Sequence, residues 1–102
     1  MNWDHAIRTV SPHVVKIETP SGYGTGFLVL YNIDKTWCGI ATAAHVVDHA
    51  EDWQQPIRLI RSDGTGKPLF LKADERVIFL DRSTGSAIVL FLKREFELPE
   101  SP

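Results

Sequence analysis

Apolar residues fall at every second position through much of the chain. In His13-Val14-Val15-Lys16-Ile17-Glu18-Thr19, Val15 and Ile17 are set off by polar neighbours, the pattern of a strand with one wet face. Pro56-Ile57-Arg58-Leu59-Ile60-Arg61 repeats it, with Ile57 and Leu59 on one side and the arginines on the other. Phe27-Leu28-Val29-Leu30-Tyr31 is a continuous apolar run, which predicts a strand buried on both faces or nearly so. After a turn at Asn32-Ile33-Asp34-Lys35, Trp37 to Thr42 returns antiparallel. Three more strands are predicted at Pro68–Lys72, Glu75–Leu80 and Ser86–Leu92, for seven in all. Turn chemistry at Pro20-Ser21-Gly22 and Ser62-Asp63-Gly64-Thr65-Gly66-Lys67 separates them. Many short strands with regular turns predict a sandwich or a closed barrel.

The pattern changes period at three places. Trp3, Ile7 and Val10 share one helical face, and Asn2 or Asp4 can cap it, so a short helix is expected over 1–10, stopped by Ser11-Pro12. Ala43 to Val47 reads as a tight helical turn, followed by a polar, acidic loop over Asp48-His49-Ala50-Glu51-Asp52. Residues 94–102 read as a charged, proline-bearing tail. Residues 1–102 are expected to form one domain.

Glycines at 22, 24 and 26 alternate with Tyr23, Thr25 and Phe27. They strip one face of the strand, so that the sheet can bend or a neighbour can approach closely. A phosphate-cradling loop would need a helix after these glycines, and a strand follows instead. His45-Val46-Val47-Asp48-His49 has some of the spacing of a zinc-peptidase motif. The predicted helical turn is too short to bring both imidazoles to one face, and no third ligand is evident. No metal or cofactor is therefore expected. Cys38 lies in an apolar strand and reads as a buried structural thiol. Ser21, Ser83 and Ser86 have no glycine elbow or helix start beside them, so none reads as a nucleophile. Trp3, Trp37 and Trp53 read as core or edge aromatics.

A net charge of −2 and no basic run give no reason to expect nucleic acid as a partner. The apolar runs are strand-sized, well short of a membrane-spanning helix. Met1-Asn2-Trp3-Asp4-His5 lacks the start of a signal peptide. With a single cysteine, this fits a reducing compartment such as the cytoplasm, or a form whose leader is gone.

Gly24-Thr25-Gly26-Phe27, the apolar return strand, and Thr42-Ala43-Ala44-His45-Val46-Val47 occur in the order found in one protein family. They resemble the amino-terminal barrel of the trypsin-like (chymotrypsin-fold) serine proteases, particularly the bacterial HtrA-like branch. Ile57–Gly64 looks like the hairpin after the family's histidine. Val77–Asp81, a short loop, and Ala87–Leu90 look like the segment that delivers its acid. The likeness covers roughly residues 13–93. It implies an all-β fold, a single closed Greek-key barrel of six or seven strands with the short helix at its start. Phe27, Val29, Ile40, Leu59, Ile78, Ile88 and Leu90 are expected inside it.

The resemblance places His45 at the position of the catalytic general base. In active members a buried carboxylate orients that histidine and a serine attacks the carbonyl. The family's acid stands two residues before the alanine that opens the next strand. Matching that alanine to Ala87 puts Gly85 at the acid position, and a shift of one residue puts Ser86 there. Neither ionises, and Asp81 lies four residues upstream. The serine and its Gly-x-Ser-Gly signature belong to a second barrel, for which these residues leave no room. The implied function is peptide-bond hydrolysis by a protein of which this chain is a fragment or a degenerate half, inactive alone. The alternative is a non-catalytic interaction module derived from a protease. The expected partners are a protein or peptide, a missing second barrel, or a second copy. The expected surface is the His45 face together with Phe91, Leu92, Phe96 and Leu98.

Overall fold

The computed structural model describes residues 13–62, 64 and 66–102. The helix expected over 1–10 lies outside the described residues. In chain order the elements are β1 (Val14–Thr19), β2 (Gly22–Tyr31), β3 (Trp37–Ala43), α1 (Ala44–Asp52), β4 (Ile57–Arg61), β5 (Leu69–Leu71), β6 (Arg76–Asp81) and β7 (Ser86–Leu92). The fold is mostly β, with seven strands where the alternation predicts them.

All strands join one antiparallel sheet in the order β5-β4-β1-β2-β3-β7-β6. The run β4-β1-β2-β3 is the spatial order of a Greek key. The sheet curls into a half-barrel and is not the closed barrel expected from the sequence. β5 and β6 are its two edges and do not pair with each other. They are consecutive in the chain, and a single 3-10 turn at Ala73–Glu75 links them. The ends of the sheet are therefore tied by this covalent link and not by a ladder. The turn is closed by Glu75, whose side chain accepts from the Lys72 N–H at 2.9 Å and whose own N–H donates to the Lys72 carbonyl at 3.0 Å.

Arg76 lies at that seam and is buried, only 6% exposed. Its guanidinium donates from Nη1 to the Leu71 carbonyl at the end of β5 and from Nη2 to the Ala50 carbonyl in α1, each at 3.0 Å. Burial pulls its pKa down, and the Glu51 carboxylate acts in the opposite direction. One arginine thus holds the last turns of α1 against the two sheet edges.

The concave side holds the core: Val15, Ile17, Leu28, Cys38, Ile40, Leu59, Val89 and Phe91 are all buried there. A shift in register between Leu28 and Leu30 marks an irregularity in β2, which adds bend to an already twisted sheet. Gly26 is required by this packing, because a Cβ there would stand 2.4 Å from Ile40 Cγ2.

Four expectations need correction. The acidic stretch Asp48–Asp52 is not a loop, because α1 runs on to Asp52. Ala44, Val47 and Ala50 recur every third residue, so their side chains share the buried face, while Asp48 and Glu51 are partly exposed and Asp52 is exposed. Phe27 and Val29 are not core: they are 49% and 40% exposed. Ile78, Ile88 and Leu90 are only partly buried, whereas Ile40 and Leu59 are fully buried as expected. Last, Phe91 and Phe96 are not surface. After Lys93 the chain reverses at Arg94, whose φ is +53°, and the Phe96 N–H donates to the Lys93 carbonyl. That turn drops Phe96 into the core, with Leu98 packed beside it. The following residues are fixed by hydrogen bonds from Tyr31 Oη to the Pro99 carbonyl and between His13 Nε2 and the Ser101 carbonyl.

Candidate functional site

His45 is the second residue of α1 and is exposed. β3 delivers it: Ala43 is still extended, at φ −76° and ψ 143°, and the helix begins with the next residue. Two features seat this corner. Gly24 of β2 leaves room for Val46, since a Cβ at Gly24 would stand 2.4 Å from Val46 Cγ2. No side chain caps the helix. Instead the Ala44 N–H, which has no partner inside the helix, donates to the Gly85 carbonyl at 2.8 Å. The β6–β7 hairpin is thereby pinned to the start of α1, and Ala43 pairs with Ser86 across the ladder.

Sequence matching puts the family's acid at Gly85, and the structure brings that residue to the helix turn bearing His45. Its chemistry is that of a hairpin glycine. Its φ is +72°, a left-handed conformation that suits glycine, and a Cβ there would meet nothing within 4 Å. Asp81 is engaged elsewhere. Its Oδ1 accepts from Ser83 Oγ at 2.6 Å and from the Ser83 and Thr84 N–H groups at 3.1 and 3.3 Å. These bonds, the Ser83 hydroxyl foremost, hold its carboxyl below the usual range. The acid nearest in sequence therefore shapes the hairpin loop.

Among the described residues the His45 imidazole makes no hydrogen bond and no ion pair. The hydroxyls of Ser21, Ser83 and Ser86 are hydrogen-bonded to other groups. Ser83 Oγ is bonded to Asp81, Ser86 Oγ shares a 2.7 Å hydrogen bond with Thr84 Oγ1, and Ser21 Oγ donates to Gln55 Oε1 at 3.1 Å. Among the described residues, the corner therefore presents an exposed imidazole that no acid orients and that no hydroxyl is hydrogen-bonded to.

The longer helix changes the reading of the second histidine. His45 and His49 are one turn apart on α1, so they do lie on one face. His49 stacks on Trp53, with ring centroids 5.5 Å apart and planes 11° off parallel. No group of three or more His, Cys, Asp or Glu side chains suited to a metal ion occurs among the described residues. Trp37, on the interior strand β3, and Trp53, after α1, are 38% and 69% exposed and so are not core, and Trp3 lies outside the described residues. No helix among the described residues is long and apolar enough to cross a membrane.

Cys38 is fully buried between β2 and β7, and this burial pushes its thiol up to about 12, slightly offset by Lys93. In the unfolded chain the thiol ionises near its ordinary value of about 8.5. Above that pH the unfolded state loses a proton that the folded state keeps. Stability is therefore unaffected by this group below about pH 8 and falls as pH rises towards 12, by at most ~1.4 kcal/mol per pH unit. Urea midpoints from pH 8 to pH 10 should fall more steeply for the native chain than for Cys38→Ala. Equal slopes would show that the thiol reaches solvent.

Two features were not anticipated from the sequence: the buried Arg76 and an apolar outer face on the sheet. Arg76 Nε is buried and has no hydrogen-bond partner among the described residues. No family model matches the chain, and no curated protein matches it.

Proposed function

We propose that this domain is the histidine-bearing half of a trypsin-like serine endopeptidase, inactive on its own residues. The observation that carries this reading is the 2.8 Å hydrogen bond from Ala44 to Gly85. It joins the two segments that, by resemblance, would deliver the base and the acid, on a Greek-key sheet whose third strand leads directly into the histidine. In this reading His45 occupies the base position, and an acid and a serine would have to come from outside the domain. A non-catalytic module derived from such a protease is the second reading, favoured by the left-handed hairpin glycine where the acid would stand.

Quenched-fluorescent peptide libraries incubated with the 102-residue chain are expected to show no turnover above buffer, with native protein and His45→Ala indistinguishable. Turnover that His45→Ala removes would overturn the inactive-half reading. The polypeptide of the complete reading frame separates the two proposals. A serine labelled by a fluorophosphonate, with labelling abolished by His45→Ala, supports the peptidase. Absence of any labelled serine supports the module.

A further inference from the structure

The convex face of β2, β3, β7 and β6 is apolar where an antiparallel sheet open to water carries polar side chains. Strand register defines it. One row across the four strands reads Phe27, Ala41, Ile88, Phe79, and the next reads Leu30, Gly39, Leu90, Val77. Trp37 and Leu92 extend it along β3 and β7. Polar residues bound it at both ends: Ser86 and Asp81, in the row with Ala43, at the His45 end, and the Glu75–Arg94 ion pair past Val77 and Leu92 at the other.

We propose that this face packs against the same face of a second copy of the chain. Relief, area and charge all point to that occupant. Phe27 and Phe79 stand up as ridges, 49% and 59% exposed, on either side of a floor made by Ala41 and Ile88. Such a ridge-and-trough surface is self-complementary: a two-fold axis lays each copy's ridge in the other's trough, the isologous arrangement of most dimers. Two sheets meet this way about 10 Å apart. The exposed parts of the outward aromatic and aliphatic side chains amount to roughly 500 Å², taking ~150–250 Å² for a whole aromatic. That lies in the upper half of the roughly 300–600 Å² range for the largest patch on a typical monomer, a patch that is often functional. It is the larger part of the roughly 800 Å² that each partner contributes to a stable interface. The two rows carry no charge, so apposing them brings no like charges together despite the net −2 of each chain. Nothing in them selects a partner of opposite sign. This proposal does not rest on the peptidase reading, because its readout is mass and not hydrolysis.

Sedimentation velocity from low micromolar to millimolar concentration should show a monomer–dimer equilibrium. Phe79→Lys and Phe27→Glu should each weaken it at least tenfold while far-UV circular dichroism stays that of the native sheet. Hydroxyl-radical footprinting of the unmodified chain gives a readout that needs no variant: Phe27, Phe79 and Trp37 should become protected as concentration rises. A monomer at every concentration, or a dimer that neither substitution weakens, would overturn the proposal. So would protection already complete at the lowest concentration, since the cover would then come from within the same chain.

Discussion

Arg76→Ala is expected to lower the stability of the folded chain by about 3–5 kcal/mol, read from urea unfolding at neutral pH. The cost has two parts. The Leu71 and Ala50 carbonyls each lose a charged donor at 3.0 Å, Ala50 keeping the Gln55 N–H at 2.9 Å, and a hydrogen bond to a charged group is worth about 1.5–3 kcal/mol. The aliphatic stem leaves a void beneath α1, which adds a packing loss. Relief from burying a guanidinium offsets part of this, since among the described residues its Nε has no hydrogen-bond partner and Glu51 acts on the charge without a hydrogen bond. Arg76→Lys should recover only some of the loss, because an ammonium cannot span both carbonyls in the planar fork that guanidinium provides. The expected signature is local as well as global. Amide exchange should quicken first in the second half of α1 and around the 72–75 turn, where Arg76 joins sheet edge to helix. A cost below about 1 kcal/mol would mean that the covalent turn alone holds the seam.

Arg76 also shows where sequence reading stops. In the string Glu75-Arg76-Val77 it looks like the polar first residue of a strand, and nothing local says that its head group finds a carbonyl 26 residues away. The helix was a nearer miss. Its buried positions, Ala44, Val47 and Ala50, are regularly spaced, but two of the three are alanines, and the intervening His45, Val46, Asp48 and His49 are a mix of polar and apolar residues. The signal was present and weak. The strands were legible because β1 and β4 alternate cleanly, Val15 and Ile17 against Lys16 and Glu18, Ile57 and Leu59 against Arg58. In β2, β6 and β7 both faces are apolar, so a period of two identifies a strand without saying which side faces the core. That ambiguity accounts for Phe27 and Phe91 alike. The histidine corner was legible through small residues and order along the chain. The left-handed φ of Gly85 was not, because the same glycine could have stood for a deleted acid in an otherwise unchanged loop.

Phe91 and Leu92 turn that ambiguity into a measurement. They are neighbours in one strand, and both read as surface when the chain is taken as leading to a missing partner. The ladder separates them. Phe91 pairs with Cys38 and Arg76, two inward residues, while Leu92 pairs with the half-exposed Trp37. Accordingly Phe91 is fully buried and Leu92 is 38% exposed. Phe91→Ala should cost about 3–5 kcal/mol, the transfer loss plus a cavity between the two walls of the half-barrel. Leu92→Ala should cost within about 0.5 kcal/mol in the monomer, as surface truncations do. Thermal and urea unfolding at a concentration low enough to keep the chain monomeric will read both. The reverse order, with Leu92 the costly position, would mean that β7 is displaced by one residue against β3. Every outward side chain of β7 would then face the core, and the apolar convex face would no longer exist.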